Sequence, residues 1–172
     1  MLPLRVWVIG FMAVGKTTVG RALASELKFP FLDVDEWIGQ EAACSITELW
    51  RREGEARFRC RERDAILMAS SRPGVISVGA GASIDPRNRH QLSASGLVLW
   101  LRAPFALLWK RGALDGDVAR PLWSDAPALF RLYQERERCY EFAHLTVAIG
   151  DQEPHVIAGR LADLIRSRGD RG

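Results

Sequence analysis

The stretch Gly10-Phe11-Met12-Ala13-Val14-Gly15-Lys16-Thr17 constrains this chain more than any other. It fits G-x-x-x-x-G-K-[ST] and stands between an apolar run, Leu4 to Ile9, and a helix-forming run, Thr18 to Leu27. A buried strand that feeds a glycine turn into a helix is a phosphate cradle, or P-loop. The glycines allow a tight turn, successive N–H groups converge on phosphate oxygens, and the helix offers its positive end. Lys16 adds a point charge toward the β and γ phosphates. Thr17 supplies a hydroxyl for Mg²⁺, which prefers octahedral oxygen ligands and keeps several waters. Gly10, Ala13, Val14, Gly15, Lys16, Thr17 and Thr18 are therefore candidate nucleotide-binding residues. The competing reading is a glycine turn beside an unconnected lysine.

The rest of the chain sets the frame for that loop. At 172 residues and 48% hydrophobic composition it has the size of one well-buried domain, 1–172. The net charge of +3 does not point to nucleic acid, because the arginines are interspersed with acids; a small anionic substrate explains them as well. No run reaches the length of a membrane span and no signal peptide precedes the first strand, so a cytoplasmic protein is expected, with no membrane partner. Cys44, Cys60 and Cys139 lack metal or redox spacing and read as reduced thiols filling space.

Phe29 to Asp35 reads as a second strand ending in two acids. Residues two apart on a strand share a face, so Asp33 and Asp35 are expected to project together into the mouth beside the P-loop. Asp33 can then hold a water of the Mg²⁺ shell, and Asp35 can accept from a substrate hydroxyl or take its proton. One of them capping the following helix is the plainer alternative. A helical pattern over Trp37–Arg52 is interrupted near Cys44-Ser45, where Ser45 or Thr47 can cap a new helix. Gly54 ends it, and another helix begins near Glu55 and carries Phe58, Arg59, Glu62 and Ile66. Spacing alone makes Arg59 one more solvated arginine.

Val75 to Val78 is a buried strand running into Gly79-Ala80-Gly81, where small residues let a ligand approach backbone N–H groups. The Ser77 hydroxyl either reaches the Mg²⁺ water shell or bonds a neighbouring carbonyl; the pattern leaves both open. Leu97–Leu101 forms the next strand, followed by a helix from Phe105. The glycine-, acid- and arginine-bearing segment 112–124 then reads as a mobile flap. A helix over Ala126–Phe142, a strand over His144–Ile149 and a closing helix over Val156–Arg166 complete the chain. Trp100 and Trp109 suit core or surface equally. Five strands alternating with helices predict an α/β fold: three α/β/α layers around a five-stranded parallel sheet.

These residues together resemble the shikimate kinases, small members of the nucleoside monophosphate kinase-like P-loop group, from Val8 to about Leu164. The P-loop with Thr18-Val19-Gly20 looks like the family's opening, and Asp33-Val34-Asp35 is similar to its D-x-D. Ile46-Thr47-Glu48-Leu49-Trp50 with Gly54-Glu55 and Phe58-Arg59 resembles its shikimate-domain signature, within substrate-binding helices over about 34–62. Gly79-Ala80-Gly81 stands where the family has three glycines. Arg120-Pro121-Leu122 looks like the lid signature, and Arg136-Glu137-Arg138-Cys139-Tyr140 is similar to R-x-P-L-Y. The resemblance implies ATP-dependent phosphorylation of the shikimate 3-hydroxyl, with Mg²⁺, by a monomer of P-loop kinase fold.

By the same resemblance, Arg59 and Arg136 grip the substrate carboxylate, with Trp50 and Phe58 as apolar walls. Gly79, Ala80 and Gly81 give backbone donors, and Asp35 is the candidate base. Arg120 reaches the transferred phosphate, Arg111 stacks on adenine, and Pro154 lies in the adenine loop. Thr17 is a direct metal ligand, while Asp33 and Ser77 act through water. Ala13 and Ala80 depart from family glycines: Ala13 is harmless at negative φ and strained otherwise, and Ala80 bears on fine substrate specificity. The rivals are a gluconate-type small-metabolite kinase and a catalytically silent nucleotide-binding regulator. A dinucleotide oxidoreductase is excluded because the loop is not G-x-G-x-x-G.

Overall fold

The computed structural model describes residues 4–114 and 121–169. Five strands, β1 (Arg5–Ile9), β2 (Phe31–Asp33), β3 (Gly74–Ser77), β4 (Leu97–Arg102) and β5 (Leu145–Ala148), form one sheet in the order β2-β3-β1-β4-β5, and every pairing is parallel. In β1, Val6, Trp7, Val8 and Ile9 are all 0% exposed. Successive strand residues point to opposite faces, so both faces of the sheet are covered. That is why the strand reads as a continuous apolar run rather than an alternation, and it bears out the expected layered α/β fold. The indole of Trp7 keeps a partner in this dry setting by donating from Nε1 to Ser95 Oγ at 3.1 Å.

The helices are α1 (Lys16–Leu27), α2 (Val34–Ala42), α3 (Ile46–Ala69), α4 (Pro86–Ser95), α5 (Phe105–Leu114), α6 (Ala126–Tyr140) and α7 (Pro154–Gly169). None among the described residues is long and apolar enough to cross a membrane. Ser45 caps α3, accepting from Glu48 N at 3.1 Å. Gly54, at φ 78° and ψ 167°, breaks the helical geometry inside α3, so the expected stop is a kink between two helical halves. Trp100 belongs to the core at 6% exposure, packed on Tyr140 with ring centroids 5.7 Å apart; Trp109 is half-buried against Phe105.

Three sequence-based expectations need correction. The strand after α1 ends at Asp33, and Asp35 lies in the first turn of α2, so the two acids do not share a strand face. Asp33 accepts from Asp35 N and Glu36 N and thereby caps α2; a carboxylate at that position satisfies helix N–H groups better than one more strand residue would. Helix α4 carries no apolar periodicity and was not expected, since only Asn88 and Leu92 along it are buried. Its signal was local: Asp85 accepts from Arg87 N at 2.9 Å, and Pro86 occupies the first turn. The cysteines are free thiols as expected, and half-buried Cys44 packs against the core, but Cys60 is exposed and fills no space.

Candidate active site

In a parallel sheet the loops that follow the strands gather at the carboxyl edge, where ligands bind. Here those loops enclose a cavity of about 780 Å³. On one side lie Ala13, Gly15, Lys16, Thr17 and Thr18. Gly10 has φ 148°, and a Cβ there would press on the Leu101 carbonyl oxygen at 2.5 Å, so only glycine lets the loop leave β1 against the end of β4. Gly15 is left-handed at φ 94° and precedes α1 without any side-chain cap, which leaves the first N–H groups of that helix for an anion. Ala13 also sits in the left-handed region, at φ 60°. The strain expected for a positive φ is therefore present, at a cost of about 1 kcal/mol. Lys16 Nζ donates to Phe11 O at 3.1 Å, folding its side chain over the loop.

Thr17 Oγ1 donates to Asp33 Oδ2 at 2.7 Å, and Asp33 is paired in register with Ser77. All three line the cavity at its floor, with Asp33 and Ser77 themselves buried. Thus the acid that caps α2 with one oxygen reaches the P-loop helix with the other.

The opposite wall holds Asp35, Trp50, Phe58, Arg59, Gly79, Ala80, Gly81 and Arg136. Arg59 lies 5.5 Å from the Trp50 ring centroid and 5.4 Å from that of Phe58, and donates from Nη1 to Glu62 Oε2 at 2.7 Å. Its guanidinium is thereby aimed before any ligand arrives. Gly81 makes room for it, since a Cβ there would fall within 2.8 Å of Arg59 Cζ. Ala80 has no positive φ, so its methyl imposes no backbone strain, and its carbonyl accepts from Tyr140 Oη at 2.6 Å.

Burial, and then the charge of Asp33, push the Asp35 carboxyl above its ordinary range, while Lys16 and Arg59 pull it back. Glu62, 1% exposed, is pushed up to about 7 by burial against the pull of Arg59. Asp35 Oδ1, Glu62 Oε1 and Arg136 Nε are buried without a hydrogen-bond partner. Such atoms are costly unless a ligand pairs with them. The sequence reading named Glu62 only as a helical residue; its spacing of three from Arg59 was the signal that puts both on one helix face. Trp123 also lines the cavity, with Nε1 donating to Trp109 O at 3.2 Å, and no periodicity announced it.

Four expected nucleotide residues lie outside this cavity. Gly10 and buried Val14 shape the loop from behind. Arg111 Nη2 donates to Gly150 O at 2.7 Å, which brings it to the segment leading into α7, where Pro154 opens the helix. Arg120 lies outside the described residues, as do the other residues of 115–120 in the expected flap.

The family model for shikimate kinase matches residues 12–166. A shikimate kinase of Salinibacter ruber is 37% identical over 98% of this chain and 87% of its own length. One from a Synechococcus species is 39% identical over 93% of this chain and 85% of its own. Among solved structures, a shikimate kinase from Acinetobacter baumannii in complex with shikimate superposes with a TM-score of 0.90 at 34% identity, covering 98% of this chain and 95% of that one. With the phosphate loop and the charged wall facing one another across a single cavity, these matches show that the chain belongs to the shikimate kinase family.

Proposed function

We propose that this chain transfers the γ-phosphoryl group of ATP to the 3-hydroxyl of shikimate, giving shikimate 3-phosphate for the route to chorismate and the aromatic amino acids. One observation carries the reading: Arg59, Arg136 and a half-buried carboxylate, Asp35, face the P-loop in the same cavity. Paired guanidinium groups suit a carboxylate, because the planar fork binds it bidentately and stays charged. The unpaired Asp35 Oδ1 suits a ring hydroxyl. A cyclic hydroxy-carboxylate offers both groups.

Phosphoryl transfer asks for positioning and charge neutralisation more than covalent work. Lys16 and the N–H groups at the start of α1 take the phosphates of the donor. Arg59 and Arg136 fix the acceptor carboxylate between the Trp50 and Phe58 walls, and the loop 79–81 offers its backbone N–H groups. Asp35 orients the attacking hydroxyl and takes its proton at Oδ1; the raised pKa makes it a better base near neutrality. Arg111 and Pro154 are assigned to the adenine, and Arg120 with the lid over 112–124 to the transferred phosphate, by motif resemblance.

A divalent cation fits the donor set at the cavity floor. Thr17 Oγ1 spends its hydrogen on Asp33 and keeps its lone pairs, and Asp33 and Ser77 add oxygen ligands suited to a water shell. No group of three His, Cys, Asp or Glu that could hold a metal ion exists among the described residues. Mg²⁺ bound there would supply charge neutralisation on the phosphates.

The test is ADP release with ATP, Mg²⁺ and a panel of shikimate, quinate and gluconate. Shikimate-dependent release is expected. Release with gluconate alone would replace this reading with a gluconate-type kinase, and nucleotide binding without release on any acceptor would favour a silent regulator.

A further inference from the structure

We propose that Glu62 takes up a proton from solvent as the acceptor carboxylate binds, so that the buried wall receives a new negative charge without carrying an uncompensated one. The inference rests on the proposed function in one respect: an anionic acceptor is taken to sit on Arg59 and Arg136.

The geometry is a cluster of facing charges. Glu62 Oε2 is engaged by Arg59 Nη1 from the same helix, and Oε1 is buried without a partner. From α2, Asp35 presents Oδ1, also buried and unpartnered. These two oxygens lie 2.8 and 2.9 Å from the point where a Cβ on Gly79 would stand, so they converge on one spot above that glycine. From α6 comes Arg136, with its Nε unpaired. The loop 79–81 brings no ionisable side chain, and Asp85, ahead of α4, is turned to Arg63 and Arg87. Asp33 repels Asp35 and Lys16 attracts it from the P-loop side, while Glu55, one turn before Arg59 on α3, accepts from Arg59 Nε and Nη2 at 3.4 Å.

Glu62 and Asp35 thus share the two guanidinium groups with the more exposed Glu55, and Asp33 is set against Lys16. A further carboxylate arriving on the arginines adds a negative charge beside the buried Glu62, where like charges repel more strongly than in water. It also competes with Glu62 for Arg59, the contact that holds Glu62 ionised. Burial already places the Glu62 titration near neutrality, at about 7. A proton from the buffer, added at Oε1, cancels the added charge and puts a donor where two acceptors meet. It returns to solvent when the product leaves, and no substrate bond changes. Asp35 is raised as well, by burial and the Asp33 charge against Lys16 and Arg59, so the Glu62→Gln variant decides which of the two carboxyl groups takes the proton.

The test is calorimetry of shikimate binding to the full chain at pH 7.5 in two buffers of different ionisation enthalpy, with the dissociation constant followed over pH. Uptake of a sizeable fraction of one proton is expected, with affinity weakening up to roughly tenfold per pH unit above neutrality. Glu62→Gln, which keeps an oxygen for Arg59, should bind shikimate with no uptake and a flat pH profile. Uptake that persists in Glu62→Gln overturns the assignment to this residue. Zero uptake by the unaltered chain overturns it without any variant. Failure of shikimate to bind would remove this inference and the proposed function together, whereas binding without uptake removes this inference alone.

Discussion

Tyr140 Oη donates to Ala80 O at 2.6 Å, which ties the end of α6 to the loop after β3. Arg136 stands one turn earlier on α6, so this single bond registers the second arginine against the loop that faces it. Burial pushes the phenol above its ordinary range and keeps it a donor. Tyr140→Phe leaves the Ala80 carbonyl without its partner and should cost about 1–3 kcal/mol of stability. The KM for shikimate should rise while that for ATP stays level; urea unfolding and steady-state kinetics check both, and an unmoved shikimate KM would deny the bond any part in aligning the wall.

Asp33 serves two purposes that substitution can separate. Asparagine caps a helix about as well as aspartate, whereas alanine does not. Asp33→Asn should hold the unfolding midpoint but demand more Mg²⁺ for half-maximal rate, through the lost charge beside Thr17. Asp33→Ala should show the same Mg²⁺ effect and lose about 1 kcal/mol as well. Equal Mg²⁺ requirements in all three proteins would remove Asp33 from the metal shell.

Gly81 has an ordinary φ of −97°, so its need for glycine is spatial. Gly81→Ala places a methyl on the Arg59 guanidinium and should push it off the carboxylate position. A fall of roughly 10- to 100-fold in kcat/KM for shikimate is expected, with nucleotide affinity unchanged. Nucleotide titration beside acceptor kinetics decides this.

Ala13 tests the opposite case, where backbone angle matters and space does not. At φ 60° it holds a conformation that glycine adopts without penalty. Ala13→Gly should leave stability level or raise it by up to about 1 kcal/mol, the relief being partly offset by greater freedom in the unfolded chain. A clear drop in the thermal midpoint would contradict the strain.

Glu62 should also mark the pH dependence of stability. Its folded pKa of about 7 exceeds the ordinary 4.5, so between those values the native state keeps a proton that the unfolded chain releases. Stability therefore falls as pH rises through that window, and the loss, roughly 3 kcal/mol at most, is complete above neutrality. Asp35, raised in the same direction, adds to the fall from lower pH. Urea unfolding at pH 5 and pH 8 should show a shallower decline for Glu62→Gln, and parallel declines would exclude Glu62 as its source.

Much of this protein was determined by the sequence alone, and the reason is local. The P-loop is a contiguous backbone device, written in Gly10, Gly15, Lys16 and Thr17, and the buried strands announce themselves because both sheet faces are covered. Capping residues such as Ser45 act within four positions, so they too were legible. Helix α4 carried the same kind of local sign in Asp85-Pro86, but without an apolar stripe it went unseen. Only the tertiary structure decided what depends on distant segments meeting. It turned Asp35 out of the strand and into α2, set Ala13 in the left-handed region, and brought Tyr140 to Ala80 across sixty positions. It also made Glu62 a buried, half-paired carboxylate facing Asp35 and Arg136. Its pairing with Arg59 follows from spacing, but its burial and the charges of Asp35 and Arg136, which come from other helices, are what separate it from the solvated acids elsewhere on α3.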